Sequence, residues 1–371
     1  MIPDTRHPSR IAFRADASVQ IGTGHVMRCL TLADALCEDG AECLFLCRPH
    51  DGHLLELVSA RGHRAIALPA RDAATSTAPD QSLPAHAHWL GTDWMTDGQD
   101  CLEALAGRSV DWLVADHYAL DRRWQRTMRS SVRRLMVIDD LADRPHDCDL
   151  LLDQNLGRRA EDYSGLLPSG AQMLIGPHYA LLRPEFAALR AESLARRRHP
   201  QLKNLLITMG GVDKDNATGA VLTALQCCDL PSDLHITVVL GPHAPWLAQV
   251  RSQAETMPWR TRVLAGVNDM ARLMLEADLA IGAAGSTSWE RCCLGLPTIQ
   301  LVLAENQRCL AAALQEAGAA VIAADARQIV TPLQGKLSSG GLSELLQAMS
   351  LAASGVTDGD GAKRVRHHLV T

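Results

Sequence analysis

Short apolar runs alternate with amphipathic stretches along most of the chain. The first run, Ile11-Ala12-Phe13, stops at Arg14-Ala15-Asp16. A loop with Gly22 and Gly24 then leads to apolar positions at Val26, Cys29, Leu30, Ala33, Leu36 and Cys37. These offsets carry the period of one buried helix face, so the pattern predicts strand, glycine loop and helix. The alternation continues with strands over 42–47, 64–68, 112–115 and 135–138 and further short runs over 150–153 and 173–175. Helices are expected over 53–61 and 96–106, after Asp121, and over 184–198, where three arginines read as a solvated helix end. The second half repeats the pattern. Strands fall over 205–208, 235–240, 263–264, 279–281 and 298–303, and helices start at Asn216 and cover 269–276, 286–294 and 306–317. The polar stretch 70–87 reads as a mobile surface loop. The pattern weakens beyond Gln328, and 354–371 is expected to be partly disordered.

Strands alternating with helices predict an α/β chain built on doubly wound, largely parallel sheets. Two similarly built halves place domains at 10–198 and 199–328, with 329–371 an extension to which no role is assigned. In such sheets ligands gather at the carboxyl ends of the strands. Arg14, Asp16, Asp116, Tyr118, Asp139 and Asp140 all fall there, although capping, turn formation or packing would account for any one of them.

Composition narrows the function. A net charge of −6 argues against nucleic-acid binding, which needs a basic surface. No apolar run approaches the roughly 18 residues of a membrane span, and MIPDTRHPSR lacks a signal peptide's apolar core. Eleven cysteines without a CxxC pair read as reduced, cytoplasmic thiols packed as small hydrophobes. The closest histidine pairs, His86/His88 and His367/His368, lack neighbouring cysteines or carboxylates, so neither a metal nor a cofactor is expected.

His25 falls in the first turn of the first helix. A neutral imidazole there is suited to general-base work, with capping or solvent exposure as the ordinary alternative. In the second half, Gly210-Gly211 and Gly282 to Ser286 each open a helix, where backbone N–H groups hold phosphate without a lysine. Neither turn matches GxxxxGK[ST] or GxGxxG, so ATP hydrolysis and dinucleotide binding are not supported. Glu290 is placed to take ribose hydroxyls or simply to favour the helix dipole. Asn306-Gln307 offers neutral donors and acceptors for sugar groups, or a helix cap.

Taken together, the second half is similar to the nucleotide-binding half of the bacterial glycosyltransferase that adds N-acetylglucosamine to the peptidoglycan lipid precursor. The likeness rests on GVNDMARLMLEADLAIGAAGSTSWERCCLGLPTI followed by ENQ. The first half resembles the UDP-sugar hydrolase of pseudaminic acid biosynthesis, through FRADASVQIGTGHVMRCLTLA, ADHYALD, VIDDLADRPHDCDLLLDQN and GPHYALLRPEF, with MGGVDKDN opening the second half. The resemblance covers residues 10 to 320.

It implies a GT-B-like fold of two Rossmann-like domains with an interdomain cleft. It also implies hydrolysis of UDP-2,4-diacetamido-2,4,6-trideoxy-β-L-altropyranose to the free sugar and UDP, with inversion. By motif, His25 is the base on water; Asp16 and Arg14 match the family pattern at the strand end, Asp16 either holding the imidazole's tautomer or contacting substrate, and Arg14 and Gly24 count among the substrate-binding residues. Tyr118 and Asn306 line the sugar, with Gln307 beside them, and Asn216 and Glu290 contact the nucleotide-sugar. Val267 and Met270 belong to the uracil loop, and Gly210, Gly211, Gly285 and Ser286 to the phosphate turns. A glycosyltransferase with an unknown acceptor and a non-catalytic nucleotide-sugar-binding protein are the alternatives. The expected partners are the UDP-sugar and water, and a monomer is expected.

Overall fold

The computed structural model describes residues 8–71, 83–329 and 341–370. The chain forms two compact units, residues 1–181 with 362–371, and residues 182–361.

The first unit holds β1 (Arg10–Ala15), α1 (Gly24–Cys37), β2 (Glu42–Cys47), α2 (Leu55–Ala60), β3 (Arg64–Ala67), α3 (Trp94–Leu105), β4 (Val110–Asp116), α4 (Arg122–Met128), β5 (Val132–Ile138), β6 (Leu150–Asp153) and β7 (Gln172–Ile175). The strands pair in the order β3-β2-β1-β4-β5-β6-β7, every pairing parallel. Most strands are apolar and buried along nearly their whole length, as a sheet covered on both faces requires. Side chains alternate between those faces. Phe13, Ala15, Trp112 and Val114 pack with α1, where Phe13 stacks on Phe45 at 4.8 Å, while Ala12, Leu113 and Ala115 pack with α3 and α4.

The second unit holds α5 (Pro184–Arg196), β8 (Asn204–Thr208), α6 (Ala217–Leu225), β9 (His235–Leu240), α7 (Leu247–Glu255), β10 (Arg260–Ala265), α8 (Met270–Glu276), β11 (Leu279–Ala283), α9 (Thr287–Cys293), β12 (Thr298–Leu301), α10 (Arg308–Glu316), β13 (Val321–Ala323) and α11 (Leu342–Ser354). Its parallel strands run β10-β9-β8-β11-β12-β13. In both sheets the order reverses beside the unit's first strand, at β1/β4 and at β8/β11. Such switch points are where doubly wound sheets leave room for ligands.

Three expectations change. The units divide after Leu181 rather than near residue 198, because α5 is tied to the second unit: Ser193 Oγ donates to the Leu294 carbonyl at 2.7 Å. The basic end of α5 is only partly solvated. Arg197 is buried and donates to the carbonyls of Met274, Ala277 and Leu294, which closes the end of α8, while Arg196 pairs with Asp278 at 2.7 Å. Beyond residue 341 the chain forms α11 and then α12 (Gly361–Val370), which returns to the first unit and buries Ala362, Val365 and Leu369 in its core. Residues 72–82 of the polar stretch lie outside the described residues. The chain after them makes a 3-10 turn over Ala87–Leu90.

Candidate active site

At the switch point of the first sheet, α1 begins directly after the glycine loop. His25 and Arg28 lie three residues apart on one helix face. Both reach Asp116, the last residue of β4. The Asp116 Oδ1 atom lies 2.6 Å from His25 Nδ1, and Arg28 donates through Nε to Oδ2 and through Nη2 to Oδ1, each at 2.6 Å. Burial works to raise the Asp116 carboxyl, but the adjacent Arg28 guanidinium and His25 outweigh it and hold the group well below the usual carboxylate range. An ionised carboxylate only accepts, so Nδ1 carries the imidazole proton and donates it to Asp116. Among the described residues no hydrogen-bond partner lies on Nε2.

Arg28 also pairs with Asp140, just beyond β5, at 2.7 Å, and Tyr118 donates its hydroxyl to Asp140 at 2.7 Å. Burial and the neighbouring Asp140 push the Tyr118 phenol far above its ordinary value, so it stays protonated. The Tyr118 ring meets His25 edge-on, centroids 4.6 Å apart. Gly24, half-buried, is the first residue of α1.

Asp16 does not reach His25. Arg14 in β1 and Asp16 just after it face α3, whereas α1 lies on the face of Phe13 and Ala15. Asp16 Oδ1 accepts from Arg14 Nη1 at 2.6 Å and from the Arg48 backbone N–H at 2.7 Å, and Oδ2 lies near His50 and His117. Arg14, fully buried, divides its guanidinium among Asp16, Asp97 of α3 and the Leu46 carbonyl, and none of it reaches the surface. The pair is a core ion network; the residue that orients His25 is Asp116. Asp139 is a turn residue, accepting from the Leu141 and Ala142 N–H groups and paired with Arg144.

At the switch point of the second sheet, glycines let loops approach closely. Gly210 has φ +95°. A Cβ on Gly241 would stand 2.3 Å from the Gly211 carbonyl, to which the Gly241 N–H donates at 2.9 Å. After β11, Ser286 begins α9 with its side chain making no capping bond. The turn is braced from behind by buried Arg291, which donates to the Ala283 carbonyl at 2.8 Å. Glu290, one turn into α9, has Oε1 3.6 Å from Arg183 Nη2 at the start of α5. Burial pushes its carboxyl up to about 7 although Arg183 pulls the other way.

Asn306 is exposed in the 3-10 turn Glu305–Gln307 and caps no helix, and Gln307 Oε1 accepts from the Leu303 N–H, bracing that turn. Val267 and Met270 are half-buried at the β10–α8 turn. Asn216, at φ +55°, spends its side-chain oxygen on the Gly219 N–H as the cap of α6, which leaves only its amide NH₂ for a ligand. Among the described residues no group of three or more His, Cys, Asp or Glu is arranged to hold a metal ion, and no helix is long and apolar enough to cross a membrane.

The sequence reading missed Asp116 as the partner of His25, and it missed Arg28 and Arg183 altogether. Residue parity along β1 and β4 carried the signal for Asp116. The i, i+3 spacing in GHVMR carried it for Arg28.

Two Rossmann-like units on parallel sheets of this order give the chain a GT-B-like α/β fold. Residues 204–365 match the glycosyltransferase family 28 C-terminal domain. The chain is 24% identical over 303 residues to an uncharacterized protein of Methanocaldococcus jannaschii, an alignment covering 81% of this chain but only 57% of that protein's length. It is 24% identical over 311 residues to the UDP-2,4-diacetamido-2,4,6-trideoxy-beta-L-altropyranose hydrolase of Campylobacter jejuni, covering 83% of this chain and 97% of that enzyme. Among solved structures, MurG of Acinetobacter baumannii superposes with a TM-score of 0.67 at 16% identity, over 98% of this chain and 99% of that one.

Proposed function

We propose that the chain hydrolyses a UDP-activated 2,4-diacetamido-2,4,6-trideoxyhexose, the β-L-altropyranose being the first candidate, to the free sugar and UDP. The observation that carries this reading is the His25–Asp116 pair at the β1/β4 switch point. The likeness to the Campylobacter hydrolase along nearly that enzyme's whole length supports this substrate class.

His25 Nε2 takes a proton from water as the water attacks the anomeric carbon. Nδ1–H stays on Asp116, which stabilises the imidazolium that forms, as a triad acid does. UDP departs from the opposite face, so the configuration inverts, and its diphosphate leaves as a stable anion without a protein acid. The second unit's part is to hold UDP: Glu290 accepts from the ribose hydroxyls, and backbone N–H groups of the Gly210–Gly211 and Gly285–Ser286 turns meet the diphosphate. Val267 and Met270 border the uracil, and Asn306 and Gln307 offer amide groups to the sugar. Tyr118, fixed by Asp140, lines the sugar beside the base.

The match of residues 204–365 to a glycosyltransferase domain favours a second reading, in which an acceptor hydroxyl replaces water. Incubation with the UDP-sugar and no acceptor separates the two. Stoichiometric UDP release is expected of the hydrolase, and its absence points to the transferase. His25→Phe separates both from a mere binder: turnover is lost while UDP binding persists.

A further inference from the structure

We propose that the half-buried rings of Trp89 and His86, piled against Tyr118 beside His25, form an aromatic platform for the apolar face of the hexose. The centroid of Trp89 lies 5.7 Å from that of Tyr118 with the planes 27° apart, and His86 lies 4.4 Å from Trp89 and 5.5 Å from Tyr118. The turn carrying these rings is held from both sides. Leu90 is buried in the first unit's core, and Gly91 closes the turn at φ +72°, where a Cβ would stand 2.7 Å from the His50 ring. Tyr118 is itself buried, so the uncovered ring surface of the cluster belongs to Trp89 and His86. Burial shifts the His86 imidazole toward its neutral form, which makes it an aromatic surface rather than a cation.

The face of an aromatic ring is electronegative. It repels a diphosphate and attracts weakly positive C–H groups. A 6-deoxy hexose presents such groups, including a methyl where other hexoses carry a hydroxymethyl group. The platform touches Tyr118, which in turn touches His25, so a sugar whose anomeric carbon meets the base lies within reach of these rings. The inference rests on the hydrolase reading only for the sugar's position. An aromatic platform could equally stack uracil, and the experiment separates the two ligands.

The test compares Kd for UDP and for the UDP-diacetamido-trideoxyhexose, measured by calorimetry in a His25→Phe background with and without Trp89→Leu or Trp89→Phe. Removing the ring should weaken UDP-sugar binding about ten-fold or more. UDP binding and Tm should barely change, and Trp89→Phe should recover most of the affinity. Equal weakening of UDP and UDP-sugar would overturn the proposal in favour of a base platform, and unchanged affinity for both would overturn it outright. Should His25→Phe still turn over, the hydrolase reading fails, and KM for the UDP-sugar against Ki for UDP then makes the same comparison of the two ligands.

Discussion

At the scale of single residues, two buried carboxylates compete as the partner of His25. Asp116 ends β4 and Asp16 directly follows β1 at the same sheet edge, and the sequence made both legible as candidates. It was parity that separated them: Asp116 shares the α1 face with Val114 and Trp112, while Asp16 shares the α3 face with Arg14. Two substitutions therefore diverge. Asp116→Asn leaves the imidazole in the wrong tautomer and should lower kcat by about 10²- to 10⁴-fold. Asp16→Asn should leave kcat close to the wild-type value but cost roughly 3 kcal/mol or more of stability, read by denaturant unfolding, because Arg14 keeps its charge without that partner.

Glu290 gives a pH dependence of known sign. Its carboxyl is raised to about 7, first by burial, so the folded chain holds that proton more tightly than the unfolded one. Its contribution to stability is fully present below the ordinary glutamate range and is lost as pH rises through 7. UDP affinity should move the opposite way, rising as the carboxylate forms. Titrations at pH 6 and 8 should show a rise for the wild type that Glu290→Gln lacks; parallel pH profiles for the two proteins would remove Glu290 from the ribose site.

Among the elements, the glycine turns were legible as turns, although glycine between a strand and a helix is common for steric reasons alone. The contact that makes one of them obligatory was not, because Gly241 and Gly211 belong to turns about thirty residues apart and meet only across neighbouring strands. Gly241→Ala should cost about 1–3 kcal/mol by forcing those turns apart, and should weaken UDP binding with it. Stability lost with UDP affinity untouched would place this turn outside the nucleotide site. The arginines at the end of α5 misled for a similar reason. Their carbonyl acceptors come from α8 and the end of α9, far along the chain, and no local pattern distinguishes a buried Arg197 from an exposed Arg198.

Over the whole molecule, two similarly built α/β halves were readable from alternation alone. The path of the last residues was not, because Gly, Ser and Asp around 354–361 resemble a disordered tail, whereas the apolar positions 362, 365 and 369 mark a helix face. Arg366 of α12 pairs with Glu38 at 2.8 Å and donates to the Ala35 carbonyl, at the end of the helix that begins with His25's turn. Ending the chain after Gly355 should therefore destabilise the first unit by roughly 3–6 kcal/mol, the burial of Val365 and Leu369 alone, read as a lower Tm. Whether His25 activates water is read by proton NMR of the UDP-diacetamido-trideoxyhexose incubated with the protein and no acceptor. A base at His25 gives stoichiometric UDP, a first-formed sugar of inverted anomeric configuration, and neither product with His25→Phe. An intact substrate, a retained anomer or normal turnover by the His25 variant would contradict it.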